Sequence, residues 1–391
     1  MNVFYLEWNS FGNEDMYEAF EELGHRVVKI PFAEKKLSEE EITKRLKEAL
    51  AICSCDFVFS FNYFPQASIV CNKIGLRYVS WVYDSPHIQV YSYTVINPCN
   101  YVFLFDYAVY QELYNAGIQT VYYLPLAVNE KRLGSLVVSE AQREKYKGDI
   151  SFVGSLYNEK KHRIYDKFQN IDPYARGYLD GMIRCQQQIQ GYYFLQEMLT
   201  DELVAEMEKA YPTNPDDSHV LSPRAIYADY VLARQVTALE RRELLETLGS
   251  KYAVHLYTYE SDLQIPGVEN RGKIDYYDEM PYVFRCSKIN LNITLRSIKT
   301  GIPLRALDIM GSGGFLLSNY QQELLEYFVP GEDFVFYEST EDLMAKAEYY
   351  LTHDKERREI AQNGCKKVCS EHNMKARIAE IIKVLGDFSG K

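Results

Sequence analysis

Apolar and polar positions follow two rhythms along this chain. Short apolar runs at Val3–Glu7, Arg26–Ile30, Asp56–Phe61, Arg77–Val82, Tyr101–Phe105 and Thr120–Tyr123 predict buried strands. Between them, helical spacing predicts helices. One covers Glu14–Leu23 and is stopped by Gly24, one is capped by Ser38 with Glu41 at capping-box spacing, and one ends at Asn115. Strands that are apolar throughout and alternate with helices predict a parallel sheet covered on both faces. Ligands of such sheets gather at the carboxyl ends of the strands.

The rhythm resumes after a polar, helix-prone linker at 129–148. A strand from Asp149 runs into Gly154, and a Lys-rich helix is expected next. That is a turn at which backbone can approach a phosphate, because glycine has no Cβ. Residues 170–250 show no strand alternation. They predict helices at Gly177–Leu199, Ala225–Ala233 and Thr237–Leu248, with a breaker loop at Tyr211–Asp217. Strands are expected again at Val254–Tyr257, Gly272–Tyr276 and Asp333–Tyr337. A helix lies around Met280–Cys286, another is capped by Thr340, and helices run to the end. The expected organisation is an α/β chain with domains at 1–128 and 149–372, a helical insertion at about 170–235 in the second, and a last helix at 373–391.

The most informative stretch starts at Lys288. Ile289, Leu291 and Ile293 alternate with polar residues, and a polar loop follows. Pro303 suits a first helical position, and Leu304, Leu307 and Met310 keep helical spacing. Gly311, Gly313 and Gly314 can end that helix in a left-handed cap, and Phe315–Leu317 reads as a buried strand. Arg305 and Asp308 share a helix face, next to the free N–H groups and partial positive charge of the helix start. Such a set suits a nucleoside diphosphate. The arginine and N–H groups meet phosphate, and the carboxylate accepts from ribose hydroxyls. The same two residues also read as an ordinary surface ion pair.

Three strand ends in the first half are polar: Phe61-Asn62-Tyr63, the Trp81–His87 segment and Asp106-Tyr107. In the second of these, Asp84 and His87 emerge together, with Pro86 stiffening the turn. It is either an active-site loop or a turn in which Asp84 bonds its own backbone.

Composition narrows the classes. The chain has 391 residues, 47% hydrophobic and 25% charged, which is enough for two domains and excludes a disordered chain. A net charge of −12 argues against nucleic acid as the main partner. Most of the 34 tyrosines are expected in half-buried packing. The start, MNVFYLEWN, enters a strand without a basic, long-apolar leader, and no apolar run has the length of a membrane span. The eight cysteines form only two close pairs, Cys53/Cys55 and Cys365/Cys369, neither at zinc-site spacing, so reduced thiols in a cytoplasm are expected. No Asp-x-Asp is present to hold a metal beside phosphates.

The segment RALDIMGSGGFLLSN resembles the nucleotide-binding segment of glycosyltransferases with two Rossmann-like domains facing a cleft, the GT-B fold. More narrowly it is similar to spore-maturation CgeB-like glycosyltransferases. Phe152–Lys160 is similar to the strand, glycine turn and lysine that face the donor pyrophosphate there, with Lys160 at the family lysine. Many relatives carry an arginine after the glycine, where this chain has Ser155, and Arg305 is the expected substitute. Many relatives in the broader group have two acids eight positions apart. Asp308 takes the second place, but the first is Thr300, followed by Gly301. WVYDSPH resembles a segment of the family's N-terminal domain, and LPLAV resembles its close. The loops after Val254–Tyr257 and Gly272–Tyr276 border the nucleobase in that pattern, which makes Tyr257 and Ile274 candidates.

The resemblance implies transfer of a sugar from a nucleotide-sugar to a hydroxyl of a glycan or protein. The first domain would be the acceptor side, the second would bind the donor, and the last helix would cross back onto the first. Gly154, Ser155, Lys160, Tyr257, Ile274, Thr300, Gly301, Arg305 and Asp308 would hold the donor. Asp84 or His87 would take the acceptor's proton. No metal or other cofactor is expected, the nucleotide-sugar being a substrate. Two other readings stay open: a sugar-nucleotide epimerase of the same architecture, and a binding protein that lost the chemistry, which Thr300 in place of an acid would suit. No Gly-x-Gly-x-x-Gly follows a strand, so a dinucleotide oxidoreductase fits poorly.

Overall fold

The computed structural model describes residues 1–32, 38–159, 162–213 and 220–387. The chain forms two compact units, one built on Met1–Arg132 with Ser370–Lys391 and one on Leu133–Pro215 with Leu221–Cys369.

The first unit holds β1 (Asn2–Glu7), β2 (Arg26–Pro31), β3 (Phe57–Phe61), β4 (Tyr78–Val82), β5 (Asn100–Leu104) and β6 (Val121–Tyr123). All pair in parallel in the order β2-β1-β3-β4-β5-β6. Every residue of β3, β4 and β5 is buried, because helices cover both faces. The order reverses between β1 and β3, where an open sheet leaves a crevice at its carboxyl edge. The helix Met374–Asp387 packs on the helix Asn13–Glu22 of this unit. Arg377 Nε donates to the Pro125 carbonyl at 2.9 Å, and Lys375 pairs with Glu22 at 3.0 Å.

The second unit holds β7 (Gly148–Val153), β8 (Val254–Tyr257), β9 (Val268–Asn270), β10 (Ser287–Asn292), β11 (Leu316–Asn319) and β12 (Val335–Tyr337). These also run parallel, in the order β12-β11-β10-β7-β8-β9, so the switch point lies between β7 and β10. Phe152, Leu256, Leu291, Ile293 and Leu317 meet in its core. On the other face of β10 the polar residues are buried too. Asn290 accepts from Ser151 Oγ at 2.7 Å and donates to the Phe284 carbonyl at 2.9 Å, and Asn292 donates to Ser318 Oγ at 2.9 Å. A fully paired polar ladder of this kind fixes register as firmly as apolar packing does. The insertion has a core of its own, around Phe168, Leu179, Leu195, Tyr227 and Val231.

Several local expectations need correction. No helix directly follows Gly154. Ser155 Oγ accepts from the Tyr157 N–H at 2.9 Å, and Tyr157 has φ +56°, so a side-chain turn displaces the helix. Among the described residues, the next helical turn is the 3-10 segment Ile164–Asn170. The insertion's first helix covers Pro173–Gln188 rather than Gly177–Leu199, with Asp172 as its cap. It stops because Gln186 binds the Tyr192 carbonyl at 2.9 Å and the Phe194 N–H at 3.0 Å, which folds the chain back. The two helices expected at 225–248 are one continuous rod. Pro223–Ile226 leads through a π-helical turn, Tyr227–Leu232, into Ala233–Gly249. The strand near Gly272–Tyr276 is Val268–Asn270, and Gly272, at φ +73°, begins a loop. Pro303 is the N-cap rather than the first helical residue, and Ser339 rather than Thr340 caps its helix, accepting from the Asp342 N–H at 3.1 Å.

Gly313, at φ +78°, carries the left-handed turn behind the helix Leu304–Gly311. Gly314 is required for a different reason, since a Cβ there would lie 2.7 Å from Asn290 Nδ2 and 2.8 Å from the Phe284 carbonyl. Gly314→Ala should therefore destabilise the second unit by about 1–3 kcal/mol, read from a urea titration. Glu279 ties the linker helix Glu140–Tyr146 to the loop after Gly272. It accepts from Lys145 at 2.9 Å, from Tyr146 at 2.7 Å and from the Asp275 N–H at 3.0 Å. The Lys145 hydrogen bond, followed by the Asp275 N–H and Tyr146, holds its carboxyl down to about 2. A lowered carboxyl stabilises above its unfolded value and loses that effect as pH falls through the folded one. The melting-temperature gap between wild type and Glu279→Gln should thus be full at pH 7 and close between about pH 4.3 and pH 2.

Candidate functional site

In the second unit the site begins where β7 and β10 end. The Gly154 N–H donates to the Tyr257 carbonyl at 3.0 Å, which continues the sheet to its last residue. Arg241, 8% exposed, reaches across from the helix Ala233–Gly249. Its Nη1 donates to the Ser155 carbonyl at 2.6 Å and its Nε to the Ile293 carbonyl at 3.0 Å. One guanidinium thus sets the spacing of both strand-end loops. The rings of Phe152 and Tyr157 flank it at 5.3 and 5.1 Å. Burial pushes its pKa below the usual arginine range. Sequence reading missed Arg241, because nothing in its helix distinguishes it from Arg242.

Past Ile293 the chain loops to the eight-residue helix Leu304–Gly311, capped by Pro303. Arg305 pairs with Asp308 at 3.3 Å, with side chains 30% and 4% exposed, so the carboxylate is interior. Asp308 also accepts from the Tyr276 hydroxyl at 3.0 Å. Arg305 touches Met280 Sδ and lies 5.7 Å from the Phe284 ring centre. Burial of Asp308 and its second partner rule out an ordinary surface pair. Thr300 donates to Glu323 at 2.9 Å, and the Glu323 N–H returns to the Thr300 carbonyl at 3.1 Å. Glu323 is 1% exposed. A buried carboxylate therefore stands beside Thr300, supplied by the helix Gln322–Tyr327. It too was missed, since its distance along the chain hides it.

The remaining donor-side candidates spread around these two anchors. Gly301 is buried in the loop before Pro303. Ser155 gives its carbonyl to Arg241 and its hydroxyl to the Tyr157 turn. Lys160 lies outside the described residues. Tyr257 is buried at 3% exposure with its carbonyl accepting from the Gly154 N–H, while Ile274 is half-buried in the loop that Gly272 begins. Among the described residues, no group of three or more His, Cys, Asp or Glu side chains is placed to hold a metal ion.

In the first unit two of the three polar strand ends join. Asn62, in the left-handed region at φ +59°, donates from Nδ2 to Asp84 at 2.7 Å. Its Oδ1 accepts from the Tyr83 and Asp84 N–H groups at 3.1 and 3.3 Å. His87 Nε2 lies 3.1 Å from the Tyr63 N–H and 2.9 Å from the Tyr63 carbonyl. Asp84 is exposed and His87 half-buried, so both are held yet reachable. The third end is structural, with Asp106 capping the helix Tyr107–Asn115 by accepting from the Ala108 N–H at 3.1 Å.

Residues 234–383 match the family described as glycosyl transferase-like, a span that contains Arg241, Thr300, Arg305, Asp308 and Glu323. No curated protein matches the chain by sequence. Among solved structures, it resembles a glycosyltransferase from Rickettsia africae ESF-5 at 10% identity and TM-score 0.54, over 100% of this chain and 99% of that one. It resembles sucrose-phosphate synthase from Thermosynechococcus elongatus at 11% identity and TM-score 0.54, over 99% and 98%. Anabaena HepE in complex with UDP-glucose is similar at 10% identity and TM-score 0.55, over 99% and 100%. At these identities the structural likeness is one of fold. The matched segment carries β8 to β12 of the second sheet, and the chain's two six-stranded parallel sheets have the fold of these GT-B glycosyltransferase structures.

Proposed function

We propose that the protein moves a sugar from a nucleotide-sugar to a hydroxyl of a glycan or protein, as a CgeB-like enzyme and without a metal. The observation that carries this reading is the Arg305–Asp308 pair, with its carboxylate interior, at the start of a helix inside the glycosyl transferase-like segment. In the proposed reaction the bond between the sugar's anomeric carbon and the donor phosphate breaks, and negative charge grows on the leaving diphosphate. Arg305, Lys160 and the N–H groups of the helix Leu304–Gly311 stabilise that charge. This differs from a role for two helix starts, since none follows Gly154 directly. Arg241 acts as a positioning residue that fixes the Ser155 and Ile293 carbonyls under the diphosphate. Asp308 holds the ribose, and Thr300 and Gly301 line the loop against the phosphates. Ile274 and the carbonyl edge at Tyr257 border the base. Asp84 or His87 takes the proton of the acceptor hydroxyl, with Asn62 and Tyr63 holding them in place. HepE's complex with UDP-glucose supports a nucleotide-sugar as the donor class.

A thermal-shift screen against nucleotide-sugars tests the donor half directly, since a ligand that binds the folded state raises the melting temperature. With the best donor in hand, Arg305→Ala should raise its dissociation constant by about tenfold or more, the effect of losing a hydrogen bond to a charged group. Unchanged affinity would reject the assignment. The double variant Asp84→Asn/His87→Ala should bind donor within about twofold of wild type, a difference of a few tenths of a kcal/mol, yet lose transfer to acceptor. Product formed without any acceptor would point instead to an epimerase.

A further inference from the structure

Two thiols meet the end of the helix Leu304–Gly311. Cys365 and Cys369 lie one turn apart on the helix Asp354–Glu371, and both are half-buried. Their Sγ atoms converge on the Gly311 carbonyl, at 3.5 Å from Cys365 and 4.0 Å from Cys369. Arg285, from the helix Met280–Cys286, lies over the turn that follows. A Cβ on Gly313 would come within 3.4 Å of its Nη2. Its Nη1 donates to the Leu136 carbonyl at 2.6 Å, which fixes the guanidinium in place. The thiol helix packs closely here. A Cβ on Gly364 would overlap the Asp333 carbonyl and lie 3.3 Å from Met310 Sδ.

These surroundings favour a thiolate at one of the two positions. The hydrogen bond from Cys369 outweighs burial and, with the Arg285 charge and the Gly313 N–H, holds Cys365 down to about 7. Residues 311–314 contribute no titratable group, and Lys367 of the thiol helix pairs with Asp333 at 3.4 Å. Four other cysteines go the opposite way. Burial pushes Cys55 up to about 12 and Cys99 up to about 11, and it raises Cys71 and Cys286 too.

We infer that Cys365 is a thiol–disulfide exchange site, and that an adduct there loosens the turn at the end of the helix Leu304–Gly311. The co-reactant is a low-molecular-weight disulfide. The Cys365 thiolate attacks one of its sulfurs, so a new S–S bond forms as the old one breaks. The proton that Cys365 gave to solvent returns to the departing thiolate. Cys369 does not resolve the adduct. Side chains four apart on a helix have Cβ atoms about 5–6 Å apart, whereas a disulfide needs about 3.5–4.5 Å. Its part is to donate its S–H to the thiolate. The adduct then stands where the Gly311 carbonyl, Gly313 and Arg285 already meet. Added volume is met by movement of the turn, whose glycines resist it least. Arg305 and Asp308 lie on the helix that ends there, so the adduct bears on the candidate site without touching it.

The test uses bis(2-hydroxyethyl) disulfide, a small uncharged probe, with peptide mapping by mass spectrometry. Cys365 should carry the first adduct. Its rate at pH 7 should be about half its rate at pH 9, where a thiol titrating at the ordinary 9.0 would reach only about one-fiftieth. Cys369→Ala should slow exchange at pH 7 by about threefold or more, because the donated hydrogen bond is lost. In the adduct, hydrogen exchange across residues 304–314 should speed up by about fivefold or more, and Cys365→Ser treated the same way should show no change. A first adduct on another cysteine, a pH 7 rate near one-fiftieth of the pH 9 rate, Cys369→Ala reacting as fast as wild type, or an unchanged exchange pattern in the adduct overturns the proposal. If the alanine variant fails to fold, the wild-type measurements still decide. None of them needs a donor, so failure of the nucleotide-sugar reading leaves this result standing.

Discussion

A buried guanidinium sits between the ends of two neighbouring strands of the second sheet. Arg241 donates to the Ser155 carbonyl beyond β7 and to the Ile293 carbonyl beyond β10. Taking that cation out of water is costly, and carbonyl oxygens offset only part of the cost. The result is a crevice at the topological switch point whose two lips cannot drift apart without stranding buried carbonyls. It also leaves a positive charge buried at that sheet edge. Two departures from the family pattern look different in this light. Where relatives carry an arginine after the glycine, this chain has Ser155 with a distant arginine at its carbonyl. Where many relatives carry a first acid, it has Thr300 with Glu323 at its hydroxyl.

The same device recurs wherever a candidate side chain must be held. Tyr276 reaches Asp308 from a loop that Glu279 ties to the linker helix. Asn62 gives up a relaxed backbone conformation and binds both the side chain and the N–H of Asp84. In each case the chemistry-bearing residue sits at a strand end or helix start, and its orientation comes from a partner far away in the chain. Groups fixed before a ligand arrives need no reorganisation during the reaction, which is where preorganised sites gain their effect. The insertion fits this pattern. It has a private core, and the Arg296–Glu240 pair fastens it to the loop between β10 and the helix Leu304–Gly311.

Local patterning was enough to read the sheets. Strands buried on both faces leave runs such as Phe57–Phe61 and Tyr78–Val82, and a parallel sheet follows from their alternation with helices. The glycine turn behind Met310 and the helix start near Pro303 were legible for a similar reason, since each depends on the backbone freedom of one or two residues. Local reading failed where a side chain competes with the backbone. Ser155 turned an expected helix into a loop, and Gln186 ended another early. Tertiary structure alone decided the partners: Arg241 under Ser155, Glu323 beside Thr300, Tyr276 on Asp308, Asn62 on Asp84. Those contacts join residues tens of positions apart, and an arginine or glutamate in a helix looks the same in sequence whether it faces water or a buried carbonyl. Periodicity records which way a segment must face, but only packing determines what it meets there.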